Sequence, residues 1–391
     1  MAKKWISARS QVIGRTKIRM MYELEATFDN VVSFTVGEPD FHTPQHIVDA
    51  CLASLANHRT GYAPNQGVME LREAISECIA QTHGVVYDPA TEIIVTAGGM
   101  NALRSAAEAL FDPDDEVIIP NPYWCNHMHH PLLEMAKAVQ VPVWEKDNYM
   151  YDVASLEQYV TPKTKAITLN SPSNPTGGVI SKEQMEALCK FCIDHDLFLI
   201  SDEVYEHIIY DDLKFYSPVM FENMRERTLI CSSLSKSYAM TGWRLGYAAG
   251  PKEVIDAMLR INENTIASPT TFVQDAAVAA LRGPQDARDA MVRTFEKRRD
   301  LLFEHINAIP GLRCSKPQGA FYAFVDISGT GLTSEDFSVR LLKEQQVSVT
   351  PGDGFGSAGE GYVRMSYALS TELLLEGMKR IRAFVESLDK K

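Results

Sequence analysis

Apolar positions along the chain recur in two periods. Short β-branched or apolar runs at Glu92–Thr96, Glu116–Ile119, Val139–Val143, Ala166–Leu169, Leu197–Ser201 and Thr228–Ser232 read as strands. Between them, apolar residues fall three and four apart, which predicts helices over Gly98–Leu110, Ser181–His195 and Pro251–Thr265, among others. Ser181 followed by Gln184 forms a capping box that marks where its helix starts. Strands separated by helices imply βαβ units, so the expected fold class is α/β, with a mostly parallel sheet covered by helices on both faces.

The texture changes near residue 285. A long charged helix (Gln285–Ile309) is followed by an apolar strand (Gly319–Val325), a helix (Ser334–Gln345), strands at Val347–Thr350 and Tyr362–Tyr367, and a closing helix. This predicts a smaller α+β unit. The segment before residue 47 has few sequence neighbours to pack on and is expected to join it. The expected organisation is an N-terminal arm over 1–13, a small domain built from 14–47 plus 285–391, and a large domain over 48–284.

Length and charge narrow the function. At roughly 150 residues per domain, 391 residues suggest two or three domains. With 38 Lys+Arg against 51 Asp+Glu, the net charge is −13. That balance argues against nucleic acid and anionic membrane as partners, since both require a cationic footprint. No apolar run approaches the ~18 residues of a membrane span, and the N-terminus lacks a signal-peptide core. Seven scattered cysteines, an odd number, read as reduced thiols of a cytoplasmic protein.

Three motifs are discounted. Gly354-Phe-Gly356-Ser-Ala-Gly359 matches a dinucleotide-binding pattern but lies between two expected strands, where a tight turn is the better reading. Cys189, Cys192 and His195 fall on a helix, the two thiols sharing a face with Met185 and Leu188, as core residues do. Cys125, His127, His129 and His130 are close in sequence, yet the adjacent histidines cannot easily face one metal. No P-loop and no nucleophile-elbow motif occurs.

Ligands in such sheets sit at the carboxyl ends of strands. There the stretch Ser233-Leu-Ser-Lys236-Ser-Tyr-Ala-Met-Thr-Gly-Trp-Arg244 places an amine, a hydroxyl and a guanidinium within reach of one another. Ser233 and Arg244 suit a phosphate, and Lys236 suits a Schiff base with an aldehyde. An aldehyde that carries a phosphate suggests pyridoxal phosphate, and its other needs are met at other strand ends. Gly98, Gly99 and Met100 open a helix whose amides can hold the phosphate. Asp202 can hold the pyridine nitrogen protonated. Tyr205 and Asn174 can bond the ring's 3′ oxygen, and Trp124 can cover the ring face.

With these residues in place, the chain closely resembles the fold-type I pyridoxal-phosphate aminotransferases of class I/II, the aspartate and aromatic aminotransferase family. The resemblance runs from Gly37-Glu-Pro-Asp-Phe41 through Tyr62-Ala-Pro-Asn-Gln-Gly67, Asn174–Gly177, Ser201–Tyr205 and Ser233–Tyr247 to Tyr362–Tyr367. It implies that Lys236 is the Schiff-base lysine and proton carrier. Asp202 pairs with the pyridine nitrogen, Tyr205 and Asn174 bond the 3′ oxygen, and Trp124 stacks on the ring. Gly98, Gly99, Met100, Ser233 and Arg244 form the phosphate site, joined by Tyr62 of a second subunit. Arg364 clamps the substrate α-carboxylate beside the Gly37 backbone. A site shared in this way implies a homodimer.

The implied reaction moves an amino group from an L-amino acid to a 2-oxo acid such as 2-oxoglutarate, in ping-pong fashion. Met100 stands where some aspartate-preferring relatives place a lysine, and no arginine occurs over Asn262–Ala267. Neutral or aromatic donors are therefore favoured. Aspartate transamination is the alternative, and a C–S β-lyase on the same fold is the more distant one.

Overall fold

The computed structural model describes residues 5–388, so residues 1–4 of the expected arm fall outside it. The chain contributes β1 (Val32–Ser33), β2 (Ile93–Thr96), β3 (Glu116–Asn121), β4 (Lys137–Pro142), β5 (Thr164–Asn170), β6 (Phe198–Asp202), β7 (Thr228–Ser233) and β8 (Gly246–Ala249). Seven of these form one sheet in the order β2-β8-β7-β6-β5-β3-β4, parallel except for β8, which runs against both neighbours.

Period-2 alternation puts two apolar layers on this sheet. Ile94, Val117, Ile119, Ile200 and Leu229 pack with residues of the helices Gly99–Leu110 and Lys252–Thr265. Ile118, Ile167, Leu169 and Leu199 pack on the other face with Met185, Leu188 and Cys192 of the helix Lys182–Asp194. The capping box at Ser181 and Gln184 is formed in both directions. Cys189 and Cys192 are buried in that layer as core thiols.

The second half of the chain adds β9 (Arg313–Cys314), β10 (Tyr322–Asp326), β11 (Val347–Ser348), β12 (Thr350–Pro351) and β13 (Tyr362–Ser366). Two differences from the expected pattern have a physical cause. The strand anticipated from Gly319 begins only at Tyr322, because Ala320 takes φ +56 and breaks the extended run. The run Val347–Thr350 is split between two sheets: β11 pairs parallel with β1, whereas β12 joins the antiparallel sheet β12-β13-β10-β9.

The β1–β11 pairing carries the N-terminal segment to the site. Phe34 donates its amide to the Ser348 carbonyl at 2.8 Å and accepts from the Ser366 amide at 2.8 Å. Its ring is fully buried against Gly377 of the closing helix Thr371–Leu388. A Cβ on Gly377 would lie 2.4 Å from the Phe34 ring, so the helix approaches this closely only because it has a glycine there. Three residues beyond Phe34 comes Gly37, which lines a cavity at the strand ends.

Phe34→Ala is expected to lower stability by about 3–5 kcal/mol through the cavity left between helix and sheet. Urea unfolding of the apo-protein measures it.

Candidate functional site

The parallel strands deliver their last residues to one edge. Asn170 is registered with Asp202, and Gly246 lies between Thr96 and Ser233. Gly246 is required there, since a Cβ would come within 2.6 Å of the Gly98 carbonyl carbon and the Gly99 amide nitrogen. The glycine turn is therefore seated directly on β8. Gly98 itself has φ +87, and a side chain on it would collide with Arg244 Nη2 at 2.6 Å. The turn opens the helix Gly99–Leu110, so its first amides face the cavity.

The cavity has a volume of about 280 Å³. Gly37, Gly99, Met100, Trp124, Asn174, Asp202, Tyr205, Ser233, Lys236, Arg244 and Arg364 all line it. Gly98 adjoins it through Arg244. Tyr62 does not reach it: its side chain is 93% exposed in the single chain.

Lys236 Nζ donates to the Gly37 carbonyl in a short contact. Burial pushes the lysine down to about 8; Glu38 opposes that shift, and Arg364 and Arg244 add to it. Two neighbouring cations thus lower it, but desolvation contributes more.

Asp202 accepts from His127 Nε2 through Oδ2 at 2.8 Å, while its other carboxylate oxygen, Oδ1, is buried without a partner. The His127 ring meets Trp124 edge-on at 5.3 Å, so one helix turn positions both. Tyr205 shares its hydroxyl with that of Tyr322 at 3.0 Å, and burial holds it far above the usual phenol range.

Arg364 lies on β13 and is 2% exposed. Its Nη1 donates to Asn174 Oδ1 at 3.0 Å and its Nη2 to the Thr35 carbonyl at 2.8 Å. The guanidinium lies over Tyr322 and Phe355 at 4.5 and 5.0 Å from the ring centroids. Its Nε is buried without a partner, and no carboxylate of the described residues pairs with it. A buried cation held by neutral groups alone is suited to an incoming anion.

Four residues of the site went unread in the sequence. His127 stood in a run of histidines discounted as a metal site and was given no other role, but it faces Asp202, and His130 is a buried residue pushed down to about 3. Asn170 donates to the Asp202 carbonyl and accepts from the Asn174 amide, tying two strand ends together. Tyr322 and Ile18 enter from distant segments. Only His127 carried a sequence signal, its place three residues after Trp124 on an expected strand end.

Gly354–Gly359 forms two short 3₁₀ turns between β12 and β13, not a strand-to-helix loop. Among the described residues, no helix is long and apolar enough to cross a membrane.

Known proteins match this arrangement over nearly its full length. The profile of the family described as aminotransferase class I and II matches residues 29–381. Aromatic-amino-acid aminotransferase 2 of Thermococcus litoralis is 41% identical over 378 residues, covering 96% of this chain and 97% of its own. The aspartate aminotransferase of Pyrococcus abyssi is 42% identical, again over 96% and 97%. Among solved structures, the aromatic aminotransferase from Pyrococcus horikoshii OT3 superposes with a TM-score of 0.90 at 42% identity, over 95% of this chain and 99% of that one. The chain belongs to the class I and II aminotransferase family.

Proposed function

We propose that this aminotransferase uses pyridoxal phosphate and prefers neutral or aromatic L-amino acids as donors to a 2-oxo acid. One juxtaposition supports this reading most directly: Lys236 Nζ, the partnerless Asp202 Oδ1 and the unpaired Arg364 guanidinium line a single cavity. The residues fit the cofactor. Asp202 Oδ1 has a free acceptor for a ring N–H, and the Gly98–Gly99 turn leaves room beside Arg244 for a phosphate.

When bound, pyridoxal phosphate supplies the aldehyde that takes up the amino group and a ring that spreads the electrons released at the substrate Cα. Lys236, as a neutral amine, would take the Cα proton at Nζ and deliver that same proton, on the same face, to the carbon that had carried the cofactor's aldehyde oxygen. Arg364 receives the α-carboxylate in its planar fork, with Asn174 and Thr35 fixing the guanidinium's orientation. His127 holds Asp202 Oδ2, leaving Oδ1 free to accept the ring N–H. Trp124 would cover the ring, and Tyr205 and Asn174 would bond its 3′ oxygen, all three lining the cavity.

In this reading the large domain, 48–284, carries the cofactor residues, and the composite small domain, 14–47 plus 285–391, brings Gly37 and Arg364. A homodimer would supply Tyr62 to the neighbouring phosphate site, consistent with its exposure in one chain. Seven free thiols suit the cytoplasm.

Donor preference is inferred from the lining cations. Among the described residues these are Lys236, Arg244 and Arg364, each with a task already assigned. None remains for a second substrate carboxylate, whereas Ile18, Leu103 and Tyr322 give the cavity an apolar wall. Aspartate transamination is the second reading, favoured by the 42% identity to an enzyme of that name.

Single amino acids added to holoenzyme, with the cofactor absorbance followed, decide between these. Phenylalanine or tyrosine should discharge the absorbance and aspartate should not. A response to aspartate alone would reverse the preference, and pyruvate released from a cysteine conjugate without acceptor would favour the lyase.

Arg364→Lys should lower kcat/KM for phenylalanine about ten- to a hundredfold, as expected for losing a charge-assisted bidentate contact. Association of pyridoxal phosphate with the apo-protein should accelerate as pH rises through about 8, where Lys236 becomes the neutral nucleophile. Stopped-flow absorbance gives that profile.

A further inference from the structure

Behind the site, on the face of the sheet away from the cavity, lies a buried cluster with no part in the roles above. Strand alternation turns Asp202 toward the cavity and Glu203 the other way. The chain then makes a tight turn, with the Glu206 amide bonded to the Glu203 carbonyl at 3.0 Å. The two middle residues of that turn, Val204 and Tyr205, line the cavity. The two corner residues, Glu203 and Glu206, send their carboxylates to His83 at the end of the helix Met69–His83.

Proton positions follow from the hydrogen bonds. Thr82 Oγ1 is 2.9 Å from the Cys78 carbonyl, which can take its single proton and leave its lone pair to accept from His83 Nδ1. His83 Nε2 faces Glu203 Oε2 at 2.7 Å and needs a proton as well. With two carboxylates beside Nε2, the ring reads as an imidazolium. Glu203 accepts from His83, Ser201 Oγ (2.7 Å) and Ser217 Oγ (2.6 Å), the pattern of an ionised carboxylate. Glu206 Oε2 lies 3.7 Å from the same ring nitrogen, and its Oε1 has long contacts to Ser232 and Tyr247, both 3.5 Å, and to His207 Nε2 at 3.8 Å.

One imidazolium cannot neutralise two buried carboxylates, so the cluster holds a second proton on Glu206. Burial pushes Glu206 up to about 7, with His83 opposing and Glu203 adding to that shift. The other titratable or charged groups around it are Cys78, His207, Tyr238, Tyr247 and Arg288. For His83, burial disfavours the charge, but Glu203 and Glu206 outweigh it and hold the ring above the usual imidazole range.

We propose that His83, Glu203 and Glu206 form a proton-sharing buttress that fixes the Glu203–Glu206 turn and thereby orients Asp202 and Tyr205 toward the cofactor, with His83 as a positioning residue. This rests on the cofactor reading given above. Without the imidazolium, Glu203 keeps a buried charge with no counter-ion, the turn is no longer pinned to the helix end, and Asp202 and Tyr205 on its other face shift.

His83→Gln should weaken pyridoxal phosphate binding about tenfold, the scale on which outer partners of site residues act. It should also move the pH midpoint of the bound cofactor's absorbance. Adding Glu203→Gln to that variant removes the charge left without a counter-ion and should restore most of the affinity. Parental affinity and midpoint in His83→Gln would overturn the proposal, as would a double variant no better than the single one, the result of a packing role alone. The apo-protein gives a readout independent of the cofactor. Above its ordinary range Glu206 retains a proton that the unfolded chain has released, so the parent should lose stability relative to Glu206→Gln as pH rises from 5 to 8. Equal pH slopes would sink the buttress. Absence of pyridoxal phosphate binding by the parent would instead sink the functional reading.

Discussion

The burial of an amine without a carboxylate partner is the constraint around which the rest of the molecule is arranged. Lys236 donates to a backbone carbonyl, that of Gly37, and the unfavourable burial of its charge is what lowers its proton affinity. A carboxylate in that place would hold the lysine protonated. The carbonyl has to come from a segment that is far away in sequence, and that segment stays in position only because Phe34 is locked between β11 and the closing helix. The chemistry of one nitrogen thus depends on the packing of a phenyl ring three residues before its partner.

The same economy of charge recurs at both ends of the cavity. Arg364 is held by an amide oxygen, a backbone carbonyl and two aromatic faces, all neutral. Asp202 is held by His127 on one oxygen only. In each case the protein spends its hydrogen bonds on orientation and leaves a part of the charge unmet. Such groups are destabilising in the empty fold and become favourable when a ligand of opposite charge completes them. The net charge of −13 describes the exterior and says little about this interior.

Much of this was legible in the sequence because strand ends are local features. A run of β-branched residues that stops at Asp202, or at Ser233 before Lys236, announces its own carboxyl edge, and the glycines at 98 and 99 announce a helix start. Residues that reach the cavity from elsewhere gave no such sign. Tyr322 became visible only once β10 was laid beside β13, and its strand begins later than its apolar pattern suggests because of Ala320. His127 looked like part of a histidine cluster because sequence proximity does not tell which ring nitrogen finds a carboxylate 75 positions away. Thr35, whose carbonyl orients Arg364, had no distinguishing chemistry at all.

The parallel pairing of β1 with β11 has a bearing on how the molecule is made. Strands more than three hundred positions apart must meet before Gly37 can face Lys236. During synthesis, Gly98, Asp202, Lys236 and Arg244 leave the ribosome well before Arg364, with about 120 residues between the last two. At roughly 5–20 residues per second that interval is on the order of ten seconds. For that time the nascent chain carries nearly all of the central sheet while Arg364 is still untranslated, and its first strand is waiting for a partner at the other end of the message.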